Sequence, residues 1–182
     1  MNIDEKRILL EDAREAISAE LAARAPRYRH VSSPGFVALR GAFVTLHLED
    51  ALRGCIGHIE GKQSIRENIR DLALSSAFRD SRFPPLSKEE LPRVDIEISL
   101  LTPLEEVPSP ESFLPGRDGL LIELHYSSAV FLPQVAAEQG WDRTQTLTHL
   151  CYKAGLPADA WKNEEMKFYT FQAEVFSEKE LL

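Results

Sequence analysis

The chain reads as an α+β protein on three observations. A segment near the start is amphipathic at helical spacing, a later segment alternates strictly between apolar and polar residues, and helical and strand patterns are interspersed without regular βαβ repetition. With 182 residues and 43% hydrophobic content, the chain can bury a substantial core as one domain, residues 5–178, of two closely joined lobes.

Residues 4–23 are predicted to be helical, with Leu9, Ala13, Ala16, Ile17 and Leu21 on one face, and Pro26 marks the end. Ser32-Ser33-Pro34-Gly35 is a turn. Strands are predicted at 36–39 and 43–48, joined at Arg40-Gly41, and Glu49-Asp50 turns the chain into a third at 51–59, giving an antiparallel meander. Ser64 and Glu67 form a capping box, after which Ile65, Ile69, Leu72, Ala73 and Ala77 share one face of a helix that runs to about Asp80. It stops before Arg82-Phe83-Pro84-Pro85. Val94, Ile96, Ile98 and Leu100 alternate with Asp95, Glu97 and Ser99, a strand with one wet face. The Pro-rich residues 103–115 are a surface connection, and Gly116-Arg117-Asp118-Gly119 turns into a strand at 120–124. A further strand is predicted at 129–132. Pro133 then opens a helix ending near Gly140, and Asp142 with Gln145 caps a last helix ending at Gly155. Residues 167–176 are a final strand.

Composition narrows the function. A net charge of −8 argues against a broad phosphate-neutralising surface and so against nucleic acid, although local arginine clusters can still hold one small anionic ligand. Two cysteines far apart in sequence make no disulfide framework, and the chain begins with polar residues rather than a basic and then apolar leader, so a reducing cytoplasmic location is expected. No window approaches the roughly 18 uninterrupted apolar residues of a spanning helix, so membrane insertion is not expected.

The most distinctive stretch is Leu52-Arg53-Gly54-Cys55-Ile56-Gly57-His58. Gly54 and Gly57 let another backbone or a ligand approach where a Cβ would intrude, so Cys55 is either reachable or tightly packed. If the run is extended, Arg53, Cys55 and Gly57 share a face and Leu52, Ile56 and His58 take the other, so His58 serves Cys55 only through a bulge. Arg53 would then lower the thiol pKa. A nucleophilic Cys55 also needs a base or acid, for which His58, Asp80, His125 and His149 are the candidates; the alternative is a structural cysteine in a buried strand. Arg53, Arg79 and Arg82 suit a carboxylate or phosphate, or else pair with Asp80, Asp95 or Glu97. Asp80 can orient Arg82 or act as a base. Gln134, at a helix start, is either an anion contact or a cap. No metal site is expected: His149 and Cys151 lie about 200° apart around a helix, and Leu147, Leu150 and Cys151 read as core.

The cysteine run, Ser81-Arg82-Phe83-Pro84-Pro85-Leu86, Gly116-Arg117-Asp118-Gly119-Leu120, Leu132-Pro133-Gln134-Val135, Lys153-Ala154-Gly155-Leu156 and Trp161 occur in the order seen in AMMECR domain proteins. The chain resembles that family, also called AmmeMemoRadiSam system protein A, over roughly residues 5–178. The resemblance implies a two-lobed α+β fold whose antiparallel sheets and helices flank a cleft, with the cysteine motif at or near it. It also implies an association with a Memo-like protein and a radical S-adenosylmethionine enzyme. It names no cofactor. Two functions follow as expectations: a thiol-dependent enzyme or enzyme component using Cys55, with Arg53 or Arg82 holding the substrate, or a non-catalytic binding and adaptor module for partner proteins. Relatives often have Asp-Pro-Arg-Phe where this chain has Asp80-Ser81-Arg82-Phe83, which keeps the arginine and the ring but drops one backbone constraint.

Overall fold

The computed structural model describes residues 1–182 and contains six α-helices and two four-stranded antiparallel sheets, an α+β fold. Two compact units are present: Met1–Leu101 with Glu174–Leu182, and Thr102–Ala173. The first carries α1 (Ile3–Leu21), α2 (Pro34–Val37), β1 (Ala42–Leu48), β2 (Ala51–His58), α3 (Ile65–Phe78) and β3 (Val94–Leu101). The second carries β4 (Glu105–Val107), β5 (Gly119–Leu124), β6 (Ser127–Phe131), α4 (Pro133–Gln139), α5 (Arg143–Lys153) and β7 (Lys167–Phe171). The chain then returns to the first sheet as β8 (Ala173–Ser177) and ends in α6 (Glu178–Leu181).

In the first unit the sheet order is β2-β1-β3-β8. Asn2 and Glu5 cap α1 reciprocally, and its buried stripe of Ile8, Leu9, Ala13 and Ile17 meets Ile65, Ile69, Leu72 and Ala73 of α3. Both helices cover the sheet face formed by Val44, Leu46, Ile96, Ile98 and Leu100, all fully buried. Each such aliphatic side chain contributes about 1.5–3 kcal/mol by leaving water. In the second unit the order is β4-β7-β5-β6, and Phe113, Leu120, Ile122, Leu147, Leu150 and Phe168 form a separate core around Cys151. No helix is long and apolar enough to cross a membrane.

Four expectations are corrected. Residues 36–39 do not form a strand: Pro34 sets a helical turn, the Ser33 hydroxyl accepts the Gly35 N–H at 3.3 Å, and Phe36 drops into the core, so the meander reduces to the β1–β2 hairpin. The capping box at Ser64 is half formed, because the Glu67 carboxylate takes the Ser64 hydroxyl instead of its backbone N–H, and α3 ends at Phe78. The Pro-rich connection contains β4 and the buried ring of Phe113. The final strand is two strands in two sheets, divided at Gln172, whose backbone pairs instead with Thr102.

Candidate functional site

β2 lies at the edge of its sheet, so the backbone groups it turns away from β1 need other partners. α3 and the turn after it supply them. The Asp80 carboxylate accepts the Cys55 N–H at 2.9 Å, and Arg82 Nη2 donates to the Cys55 carbonyl at 3.1 Å. Asp80 also accepts from Arg82 Nη2 at 2.7 Å, Nε at 2.9 Å and the backbone N–H at 3.1 Å. The two side chains thus stand in for a neighbouring strand at Cys55. Asp80 is buried and Arg82 largely exposed, and the guanidinium, seconded by the Cys55 N–H, holds the carboxyl far below the usual aspartate range.

One helical turn earlier, the Ser76 hydroxyl sits between β1 and β2. It donates to the Val44 carbonyl at 2.7 Å and accepts the Ile56 N–H at 2.9 Å, bridging two residues that face each other across the ladder. This approach explains Gly54, where a Cβ would lie 2.2 Å from the Ser76 carbonyl oxygen. At Gly57 a Cβ would lie 2.2 Å from the Phe43 ring and 2.5 Å from the Ala42 carbonyl oxygen. Both glycines are therefore required by packing.

Cys55 is half-buried and faces Thr45 directly across β1, with the Thr45 hydroxyl 3.3 Å from Sγ. Thr45 in turn faces Glu97 on β3, so the three residues make one row across the sheet. Burial pushes the Cys55 thiol up, and the Thr45 hydrogen bond and the Arg82 charge offset this only in part. The expected lowering by Arg53 does not occur. Leu46 pairs with Gly54 but His47 pairs with Leu52, which makes Arg53 the extra residue of a bulge. Arg53 instead donates to both carboxylate oxygens of Glu90, at 2.8 and 3.0 Å, and draws the Glu90 pKa down to about 2.

His58 ends β2 opposite Ala42, exposed, and the bulge lies on the other side of Cys55 from it. Arg79 is the residue that closes α3. The remaining candidates lie in the second unit. His125 occupies a turn at φ 54° with Glu165 3.3 Å away, and His149 stacks on Trp141 at 4.0 Å. Gln134 is the second residue of α4, and its Oε1 is buried without a hydrogen-bond partner. Cys151 is wholly buried, and that burial raises its thiol pKa.

Sequence reasoning missed Thr45, Ser76 and Glu90. Ser76 left a readable trace, because it falls one turn after Leu72 on the apolar face of α3, where a hydroxyl needs a specific partner. Thr45 and Glu90 left none, since strand register and the fold of the 87–90 turn place them.

A family model described as AMMECR1 matches residues 10–176. The chain is 41% identical over 182 residues to a protein of Methanothermobacter thermautotrophicus, covering 96% of this chain and 95% of that one. It is 45% identical over 149 residues to a protein of Methanocaldococcus jannaschii, covering 78% and 74% respectively. The crystal structure of the uncharacterized protein PH0010 from Pyrococcus horikoshii is similar with a TM-score of 0.86 at 38% identity, covering 95% of this chain and 91% of that one.

Proposed function

The chain belongs to the AMMECR1 family, and from the chemistry around Cys55 we propose that it is a non-catalytic binding module for partner proteins. A single observation carries this reading: the Cys55 thiol is pushed up by burial while the cation that acts on it, Arg82, is already matched by Asp80. A thiol nucleophile works as a thiolate and needs a base nearby. Asp80, holding four hydrogen bonds and kept ionised far below neutrality, is a poor proton acceptor. In this reading the Asp80–Arg82 pair and Ser76 lock β2 onto α3, and the locked junction presents exposed Leu52 and Arg82 to a partner. The partners are the Memo-like and radical S-adenosylmethionine proteins that the family resemblance implies. A reducing cytoplasm fits, because both cysteines are free.

The test is a titration of each purified partner against the chain and two variants. Cys55→Ser is expected to bind as the parent does, whereas Arg82→Ala weakens binding about tenfold, the scale of one charge-assisted contact. Loss of binding in Cys55→Ser with the fold intact, or no binding of either partner to the parent chain, overturns the proposal. The second reading, a thiol-dependent enzyme component, draws on the partial exposure of Cys55 and on the downward pull of Thr45 and Arg82. It requires Cys55→Ser to abolish product formation by the assembled system.

A further inference from the structure

The segment after α1 is basic in an otherwise acidic chain: Arg24, Arg27, Arg29 and His30 fall within seven residues of a protein of net charge −8. Two arginines one turn apart on α3 hold this segment down. Arg66 donates to the Arg29 carbonyl at 2.6 Å and the Val31 carbonyl at 3.1 Å, and the Arg70 guanidinium lies 3.6 Å from the centre of the Tyr28 ring. Both also converge on Asp12, which is 2% exposed: Arg66 Nε and Arg70 Nη2 each reach the same oxygen at 2.6 Å. Two guanidiniums therefore share one buried carboxylate.

Glu11 pairs with Arg29 at 3.1 Å, and Glu15 pairs with Arg24 and takes the Arg27 backbone N–H; the Arg27 charge also acts on Glu15, but the exposed guanidinium forms no direct ion pair with it. Arg70 bonds Asp12 through Nε and Nη2, so its Nη1 hydrogens remain free of that contact. These groups surround a hollow of about 390 Å³ whose wall is Arg27, Arg29, Arg66 and Arg70 with Pro26, Tyr28 and His30, and no carboxylate residue lines it.

We propose that this hollow is a binding site for a phosphate group, carried either by free phosphate or by a small phosphorylated molecule. Four arginine side chains around one hollow suit a dianion, and forked guanidinium donors suit its tetrahedral oxygens. The lining residues all come from the first unit, and the site is independent of Cys55 and of the function proposed above.

The experiment is calorimetric titration of the full chain with inorganic phosphate and, separately, with glycerol phosphate, at constant ionic strength set by chloride. Saturable binding at one site is expected, weakened about tenfold in Arg27→Gln and largely restored in Arg27→Lys. Tighter binding of the ester identifies a phosphorylated small molecule as the ligand, and equal or weaker binding identifies free phosphate. Arg27 is exposed, so its replacement leaves folding intact, and an unchanged melting temperature checks this. A response to phosphate no larger than that to chloride, or equal affinity in Arg27→Gln, overturns the proposal.

Discussion

Asp80 accepts four hydrogen bonds while buried to 6% exposure, and Arg82, its partner in three of them, stands mostly in solvent. Their removal is therefore unequal. Asp80→Ala leaves the Cys55 N–H and a guanidinium without their acceptor and is expected to cost about 2–4 kcal/mol, against about 1 kcal/mol for Arg82→Ala, as read by urea denaturation. The sign with pH follows from the lowered carboxyl pKa. The stabilisation is complete above the unfolded aspartate value of about 4 and is lost as pH falls through the lower folded value. The stability gap between the parent and Asp80→Asn should accordingly close in acid and stay constant above pH 5, which equilibrium unfolding across that range checks. The sequence allowed Asp80 either to orient Arg82 or to act as a base, and only three-dimensional contacts separate the two. Arg53 was misplaced for a related reason: strict alternation puts it beside Cys55, but one extra residue in β2 sends it to Glu90.

At the scale of elements, the β2–α3 junction is fixed by what is small and by what bridges. Gly54→Ala would bring a Cβ to 2.2 Å from a helix carbonyl oxygen, a backbone atom that yields only if α3 moves, so a loss of about 3 kcal/mol is expected in thermal or chemical unfolding. Ser76→Ala removes the hydroxyl that bridges the Val44 carbonyl and the Ile56 N–H, costs about 1 kcal/mol, and should speed hydrogen exchange at the Ile56 amide. Long elements with an unbroken period were legible: α1, α3, α5 and β3 all lie within a few residues of their predicted ends. Short ones were not. The four residues of α2 and three of β4 hold too few repeats to show a period, and the alternation over 167–176 runs straight through the break at Gln172.

At the scale of the whole molecule, each unit contains one buried aspartate clasped by an exposed arginine close by in sequence and bonded to a backbone N–H. Asp80 does this in the first. In the second, Asp118 takes Arg117 at 2.7 and 2.8 Å and the Leu114 N–H at 3.0 Å. Burial alone would raise the Asp118 carboxyl, but these bonds outweigh it and leave the pKa lowered. Asp118→Ala is thus expected to accelerate hydrogen exchange around Leu114 and along β5, as peptide mass spectrometry would report. The motif Gly116-Arg117-Asp118-Gly119 was visible in the sequence as a turn, but not its clasp. Two lobes were expected, but not where the chain passes between them, because it leaves its first sheet after β3 and rejoins it some seventy residues later at β8, and no local pattern encodes so distant a pairing.

Whether Cys55 is held as a neutral thiol in a locked β2–α3 junction is read from its alkylation rate against pH in the native protein, with buried Cys151 as the internal comparison. Slow reaction at pH 7 and an apparent pKa above the ordinary thiol value of about 8.5 are expected. Fast alkylation at pH 7 with an apparent pKa below that value would contradict this and identify a thiolate.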